Sequence, residues 1–175
     1  MIEKPNSILI SGTGRNVGKT LFACRLIKQL SVNHEVIAIK MAPHFHPVNK
    51  ELLIYQCENF EILKEKEITN KDSSRMLQAG AKDSYYIQCK PEYHLRAFTK
   101  VLEYTNDVQV LIIESGGLNE DLLPGLRFFI DGEQKEQKLF DSARELTSLN
   151  PKGAELFDVS KVIFSEGTIN IKTYD

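Results

Sequence analysis

The stretch Ser11-Gly-Thr-Gly-Arg-Asn-Val-Gly-Lys-Thr20 constrains this chain more than any other part of it. It follows the apolar run Ser7-Ile-Leu-Ile10 and precedes Phe22, Ala23, Leu26, Ile27 and Leu30, which recur at helical spacing, so the local order is strand, loop, helix. Glycines at 12, 14 and 18 let the backbone turn its N–H groups inward, and the helix that follows adds the positive end of its dipole. Phosphate is the anion such a loop accepts. A turn that merely joined strand to helix would not require Gly-Lys-Thr at the helix start. Lys19 is expected to reach the β and γ phosphates of a nucleoside triphosphate, and the Thr20 hydroxyl to ligate Mg²⁺. The expected phosphate-binding set is Gly12, Thr13, Gly14, Arg15, Asn16, Val17, Gly18, Lys19, Thr20 and Leu21. Against the strict spacing GxxxxGK[ST], Gly12 stands one residue early, so the loop is one residue longer.

The rest of the chain alternates in the same way. Glu35 to Lys40 reads as a second buried strand, halted by Pro43 and Pro47. Asn49 to Lys71 is rich in glutamate and lysine with scattered apolar anchors, and reads as one solvated helix or an insertion. A short helix from Ser73 stopped by Gly80 follows, then a strand at Ser84 to Cys89 and a helix opened by Pro91 with Leu95, Phe98, Val101 and Leu102 on one stripe. Val108 to Glu114 is near-continuously apolar, as a parallel strand covered on both faces would be. Beyond it the expectations are a strand at Leu126 to Ile130, a polar loop from Asp131 to Lys138, a helix around Leu139 to Leu149 and a strand at Lys161 to Phe164. Strands alternating with helices imply one domain, residues 1–175, with a three-layer α/β/α sheet and right-handed crossovers.

Composition narrows the function classes. With 22 basic and 24 acidic side chains in 175 residues the net charge is −2, which argues against a nucleic-acid partner. No segment has the uninterrupted apolar length of a membrane span, and the N-terminus lacks the apolar run of a signal peptide. Cys24, Cys57 and Cys89 include no CxxC pair and read as reduced thiols, so the expected location is the cytoplasm.

Several residues outside the loop are candidates for the same chemistry. Mg²⁺ on a triphosphate keeps several waters and takes one or two carboxylates. Glu114, at the end of a central strand, is the first choice for a metal ligand. Glu67 or Asp72 is expected to supply a second carboxylate, directly or through water, or to orient the attacking water; the alternative is that Asp72 and Ser73 simply cap the next helix. Lys40, at the end of a buried strand, would stabilise charge on a transferring phosphoryl group, the alternative being a partly buried lysine paired with Asp72 or Glu114; Lys19, Lys40 and Asp72 form the expected catalytic set. His44 and His46 could ligate a metal at i, i+2 or be solvated loop residues, and Arg75 could meet an anionic substrate or a neighbouring glutamate. Asn70-Lys71-Asp72 is one residue too short for the guanine-reading Asn-Lys-x-Asp, and Asn150-Pro-Lys-Gly153 either approaches the base through its backbone or is a turn.

The lengthened loop, opened by Gly-Thr and closed by Val-Gly-Lys-Thr, resembles that of dethiobiotin synthetase and the cobyrinic acid a,c-diamide synthase relatives. Gly14 stands where the partition and septum-placement ATPases would carry an additional lysine. Ile39-Lys-Met-Ala-Pro-His44 and Lys71-Asp-Ser-Ser-Arg-Met-Leu-Gln-Ala-Gly-Ala81 extend the likeness, and together these segments resemble the molybdopterin-guanine dinucleotide biosynthesis adaptor (MobB) family. In that family's pattern Glu67 takes the place of an aspartate and Asn70 that of a glycine, and Leu111-Ile-Ile-Glu-Ser-Gly116 echoes a later strand ending in Glu-Gly. The resemblance spans roughly Ser7 to Ile130. It implies a P-loop NTPase fold with a mostly parallel central sheet, GTP binding with slow hydrolysis, a homodimer, and a protein partner in cofactor biosynthesis.

Two further readings compete. One is an ATP-dependent carboxylate-activating ligase resembling dethiobiotin synthetase, to which Glu114-Ser-Gly-Gly117 also corresponds. The other is a non-catalytic nucleotide-dependent binding module. GTP or ATP with Mg²⁺ is the expected ligand in all three.

Overall fold

In the computed structural model, residues 1–106, 109–132 and 146–172 are described. The loop-bearing strand is the spine of the molecule: β1 (Ile2–Thr13) alternates Ile8 and Ile10 toward one face and Leu9 toward the other, each fully buried. Around it lie β2 (Val36–Ala42), β3 (Leu53–Gln56), β4 (Phe60–Lys64), β5 (Asp83–Cys89), β6 (Val110–Glu114), β7 (Leu122–Asp131) and β8 (Leu146–Leu149), in the order β3-β4-β5-β2-β6-β1-β7-β8. From β5 to β8 every pairing is parallel; β3–β4 and β4–β5 are antiparallel.

The chain leaves β1 through α1 (Lys19–Leu30) toward β2, and returns from β5 through α3 (His94–Leu102) to β6, which slots between β2 and β1. Two crossovers running in opposite directions with the same hand put their helices on opposite faces. The packing agrees: Phe22, Leu26 and Ile27 of α1 join the Ile8 side, together with Met76 of α2 (Asp72–Gln78) and Ala154 of α4 (Pro151–Leu156), while Ala97, Phe98 and Val101 of α3 join the Leu9 side. The protein is thus an α/β domain built on a large, mostly parallel sheet. Reversal of direction beside β1 opens a crevice at the carboxyl ends of β1, β2 and β6.

Several expectations need correction. Asn49–Lys71 is not one helix: it carries the β3–β4 hairpin, which extends the sheet by pairing Phe60–Lys64 against Cys89–Tyr85. Residues 146–149, expected in a helix, form β8, with Arg127 to Ile130 of β7 in register against Leu146 to Leu149; the other residues of that helix, 139–145, and most of the expected polar loop lie outside the described residues. Asn150-Pro151 opens α4 rather than a plain turn, with Pro151 in its first turn and the Asn150 side chain accepting from the Gly153 N–H at 2.6 Å. The strand at Lys161–Phe164 exists as β9 (Val162–Ser165), but it pairs antiparallel with β10 (Thr168–Ile171) in a separate hairpin packed on the α1 face. β7 starts at Leu122, four residues earlier than expected, because Pro124 is absorbed at the irregularity in pairing between Lys4 and Ile8 of β1, where the ladder is interrupted.

Candidate functional site

Glycine is required at the start of the loop by proximity. At Gly12 a Cβ would lie 2.0 Å from the Ile130 carbonyl oxygen, so no larger residue lets β1 run this close to β7. Gly18 has space around it but a φ of 93°, the left-handed turn through which the loop enters α1. No side chain caps α1 and its first turn holds no acid, so no side chain satisfies its leading N–H groups. Thr13 anchors the loop sideways: its hydroxyl donates to Asp131 Oδ1 at 2.6 Å and accepts from the Gly132 N–H at 3.1 Å.

Loop and strand ends enclose a cavity of about 690 Å³. Every expected phosphate-binding residue except Thr13 lines it, joined by Lys40, His44, Asp72, Arg75 and Glu114. Lys19 curls back to donate to the Gly14 carbonyl at 2.8 Å, and desolvation lowers its pKa against the pull of Glu114. The core of the site is one cation among three oxygens. Lys40 Nζ lies 2.6 Å from Asp72 Oδ2, 3.0 Å from Glu114 Oε1 and 3.1 Å from Thr20 Oγ1, and the Thr20 hydroxyl donates to Glu114 Oε2 at 2.8 Å. Sheet register dictates this meeting, since Lys40 and Glu114 are direct partners on β2 and β6. Burial pulls the Lys40 pKa down, and Glu114 and Asp72 more than offset it, so the ammonium is held above its ordinary value. For Asp72 burial pushes upward, and the bond from Lys40 wins, leaving the carboxyl below its ordinary range.

Asp72 therefore does not cap α2. The helix begins at Asp72 itself without a side-chain cap; the Asp72 carboxylate faces Lys40 and, at 3.5 Å, Arg75. Ser73 donates instead to Glu65 Oε1. Glu67 does not line the loop cavity; it is exposed, and its carbonyl accepts from Ser74 Oγ. The carboxylate that turns inward from this segment is Glu65, which sequence reasoning passed over because nothing in Lys64-Glu-Lys-Glu67 distinguishes one glutamate from the next. His44 and His46 do not converge: His44 Nε2 lies 3.4 Å from Arg15 at the open rim, whereas His46 is held through its backbone by Gln88. Asn70-Lys71-Asp72 sits on the Lys40 side, where Asp72 accepts from Lys40, and α4 presents Pro151, Ala154 and Glu155 beside Gly18, Leu21 and Phe22 around a smaller cavity of about 180 Å³.

No group of three His, Cys, Asp or Glu side chains able to hold a metal occurs among the described residues. Mg²⁺ bound to a triphosphate does not need one. The Thr20 hydroxyl and the Glu114 carboxylate are hard oxygen donors 2.8 Å apart at the helix start, a set that suits this ion. Comparison with protein-family models, curated proteins and solved structures finds no match for the chain. Among the described residues, no helix is long and apolar enough to cross a membrane.

Proposed function

We propose that this chain is a Mg²⁺-dependent nucleoside-triphosphate-binding protein of the P-loop type, with GTP as the favoured nucleotide and slow hydrolysis, acting with a protein partner as the molybdopterin-guanine dinucleotide adaptors do. The observation that carries the reading is the Thr20–Glu114 contact: a helix-start hydroxyl and a strand-end carboxylate meet at 2.8 Å below an uncapped glycine loop whose lysine faces the same cavity. GTP and the partner rest on the resemblance of Ile39 to His44 and of Lys71 to Ala81. The cytoplasmic setting rests on the reading of Cys24, Cys57 and Cys89, no two of which are paired, as reduced thiols.

In this reading the backbone from Gly14 to Thr20 cradles the phosphates, and Lys19 exchanges the Gly14 carbonyl for a phosphate oxygen. Thr20 and Glu114 would hold Mg²⁺, which would supply positive charge against the triphosphate. Lys40 places a second positive charge where negative charge grows as the γ-phosphoryl leaves, and Asp72 keeps that ammonium in place. The cavity beside Leu21 and Pro151 offers the base a place.

Calorimetric titration with GTP and ATP, with and without Mg²⁺, alongside phosphate release, tests the proposal. Mg²⁺-dependent GTP binding with slow turnover supports it. ATP preference without turnover alone favours the ligase reading, and binding of neither nucleotide sinks the proposal.

A further inference from the structure

We propose that the cavity behind Lys40 is a second small-molecule subsite, and that its ligand carries an ammonium or similar cationic N–H head group on a compact apolar body. The cavity measures about 280 Å³ and is walled by Val48, Leu63 and Tyr86, with Glu65 and Gln88 as buried polar residues. Its position follows from register. Leu63, Tyr86, Lys40 and Glu114 are successive partners across β4, β5, β2 and β6, so one row of the sheet runs from this cavity into the phosphate cavity, with Lys40 and Asp72 lining both.

Glu65 sets the chemistry. It is 5% exposed, and its Oε1 accepts from the Ser73 hydroxyl at 2.5 Å. Among the described residues none donates to the other oxygen, Oε2, which keeps accessible surface. A carboxylate in so confined a place favours a donor or a counter-charge. The neighbouring groups do not fill that role. Lys40 is committed to Asp72, Glu114 and Thr20, while Lys71 and His46 stand exposed at the mouth without a bond to Glu65. Gln88 is fully engaged: its carboxamide accepts from the His46 N–H at 2.8 Å and donates to the His46 carbonyl at 3.0 Å and to Glu61 at 3.2 Å. Gln88 therefore fixes the wall, and Glu65 is the group left to recognise a ligand. A cationic head on Glu65 with its apolar body along Leu63 and Tyr86 completes the cavity. Its placement beside a phosphoryl group rests on the nucleotide reading above; the charge of the ligand rests on Glu65 alone.

The test titrates the isotope-labelled full chain with benzylamine, benzyl alcohol and benzoate, which share a ring and differ in charge, and follows amide shifts. Benzylamine is expected to shift Leu63, Glu65, Ser73 and Tyr86 saturably and to bind at least about tenfold tighter than benzoate, the scale of one charge-assisted hydrogen bond. Glu65→Gln should weaken benzylamine by a similar factor while leaving Mg²⁺-nucleotide affinity at the wild-type value. Val48→Trp fills the cavity without touching the carboxylate and should abolish the shifts, which keeps the test decisive if Glu65→Gln misfolds. Equal binding of benzoate, shifts elsewhere, or persistence of the shifts in the filled cavity would overturn the proposal. Benzylamine binding in a chain that binds no nucleotide would sink the nucleotide reading and support this one; the reverse pattern would do the opposite.

Discussion

The Glu114 carboxylate is divided between two partners, Oε1 toward Lys40 at 3.0 Å and Oε2 toward Thr20 at 2.8 Å, so one side chain ties the end of β2 to the first turn of α1. The Lys40 and Glu114 side chains are only 16% and 8% exposed. Little solvent screens this pair, and removal of one member leaves the other buried and short of a partner. Lys40→Met and Glu114→Gln should each destabilise the fold by about 1–3 kcal/mol. The double variant should lose less than the sum, with a coupling of about 1–2 kcal/mol. Urea denaturation of the four proteins measures it; additive losses would show that the contact is incidental.

Lys19 contributes differently, because its own hydrogen bond ends on a loop carbonyl that a phosphate would replace. Lys19→Ala should leave the denaturation midpoint nearly unchanged and weaken nucleotide binding about ten- to hundredfold, the range of one charge-assisted hydrogen bond. Calorimetry with GTP and ATP reads the affinity, and circular dichroism reads the fold. Wild-type affinity in a folded variant would count against the whole phosphate site.

Both the glycine loop and its neighbours were legible in the sequence because their signals are local: apolar runs, glycines at fixed offsets, and a helix stripe. Lys40, Asp72 and Glu114 were legible as strand-end and helix-start charges; the sheet register sets Glu114 beside Lys40, and the start of α2 sets Asp72 there, each within 3.0 Å of the Lys40 ammonium. What escaped was decided at long range. Leu53–Gln56 and Phe60–Lys64 are short, and they become strands because Cys89 to Tyr85 offers an edge to Phe60–Lys64, which in turn offers one to Leu53–Gln56. Leu146–Leu149 has a spacing a helix would accept, and lies in the sheet because β7 supplies a parallel partner. Glu65 rather than Glu67 turns inward because β4 ends there and Ser73 meets it.

Acid should act on the Asp72–Lys40 contact in a defined window. The folded-state pKa of Asp72 lies below its ordinary 3.8, so its contribution is present above that value and lost as pH falls through the folded pKa. The Lys40 pKa is raised above 10.5, so its contribution holds below that value and is lost only as pH rises through the folded pKa. With Asp72 44% exposed, solvent limits its share to no more than about 1 kcal/mol. The stability difference between wild type and Asp72→Asn should be flat from about pH 5 to 9 and shrink toward the acid end. A step near neutral pH would assign the dependence to a histidine instead.

Gly12 and Gly18 separate two reasons for a glycine. At Gly12 an added methyl would have to displace the backbone of β7, since its Cβ would stand 2.0 Å from the Ile130 oxygen. At Gly18 nothing lies within 4 Å of that position, and the cost is only that of a left-handed backbone, about 1–2 kcal/mol. Gly12→Ala should therefore destabilise the protein by roughly 3 kcal/mol or more, clearly beyond Gly18→Ala. Chemical denaturation ranks the two. Equal losses would mean that β1 and β7 can separate at their carboxyl ends, and the loop would then be held by Thr13 and Asp131 rather than by the close approach of the strands.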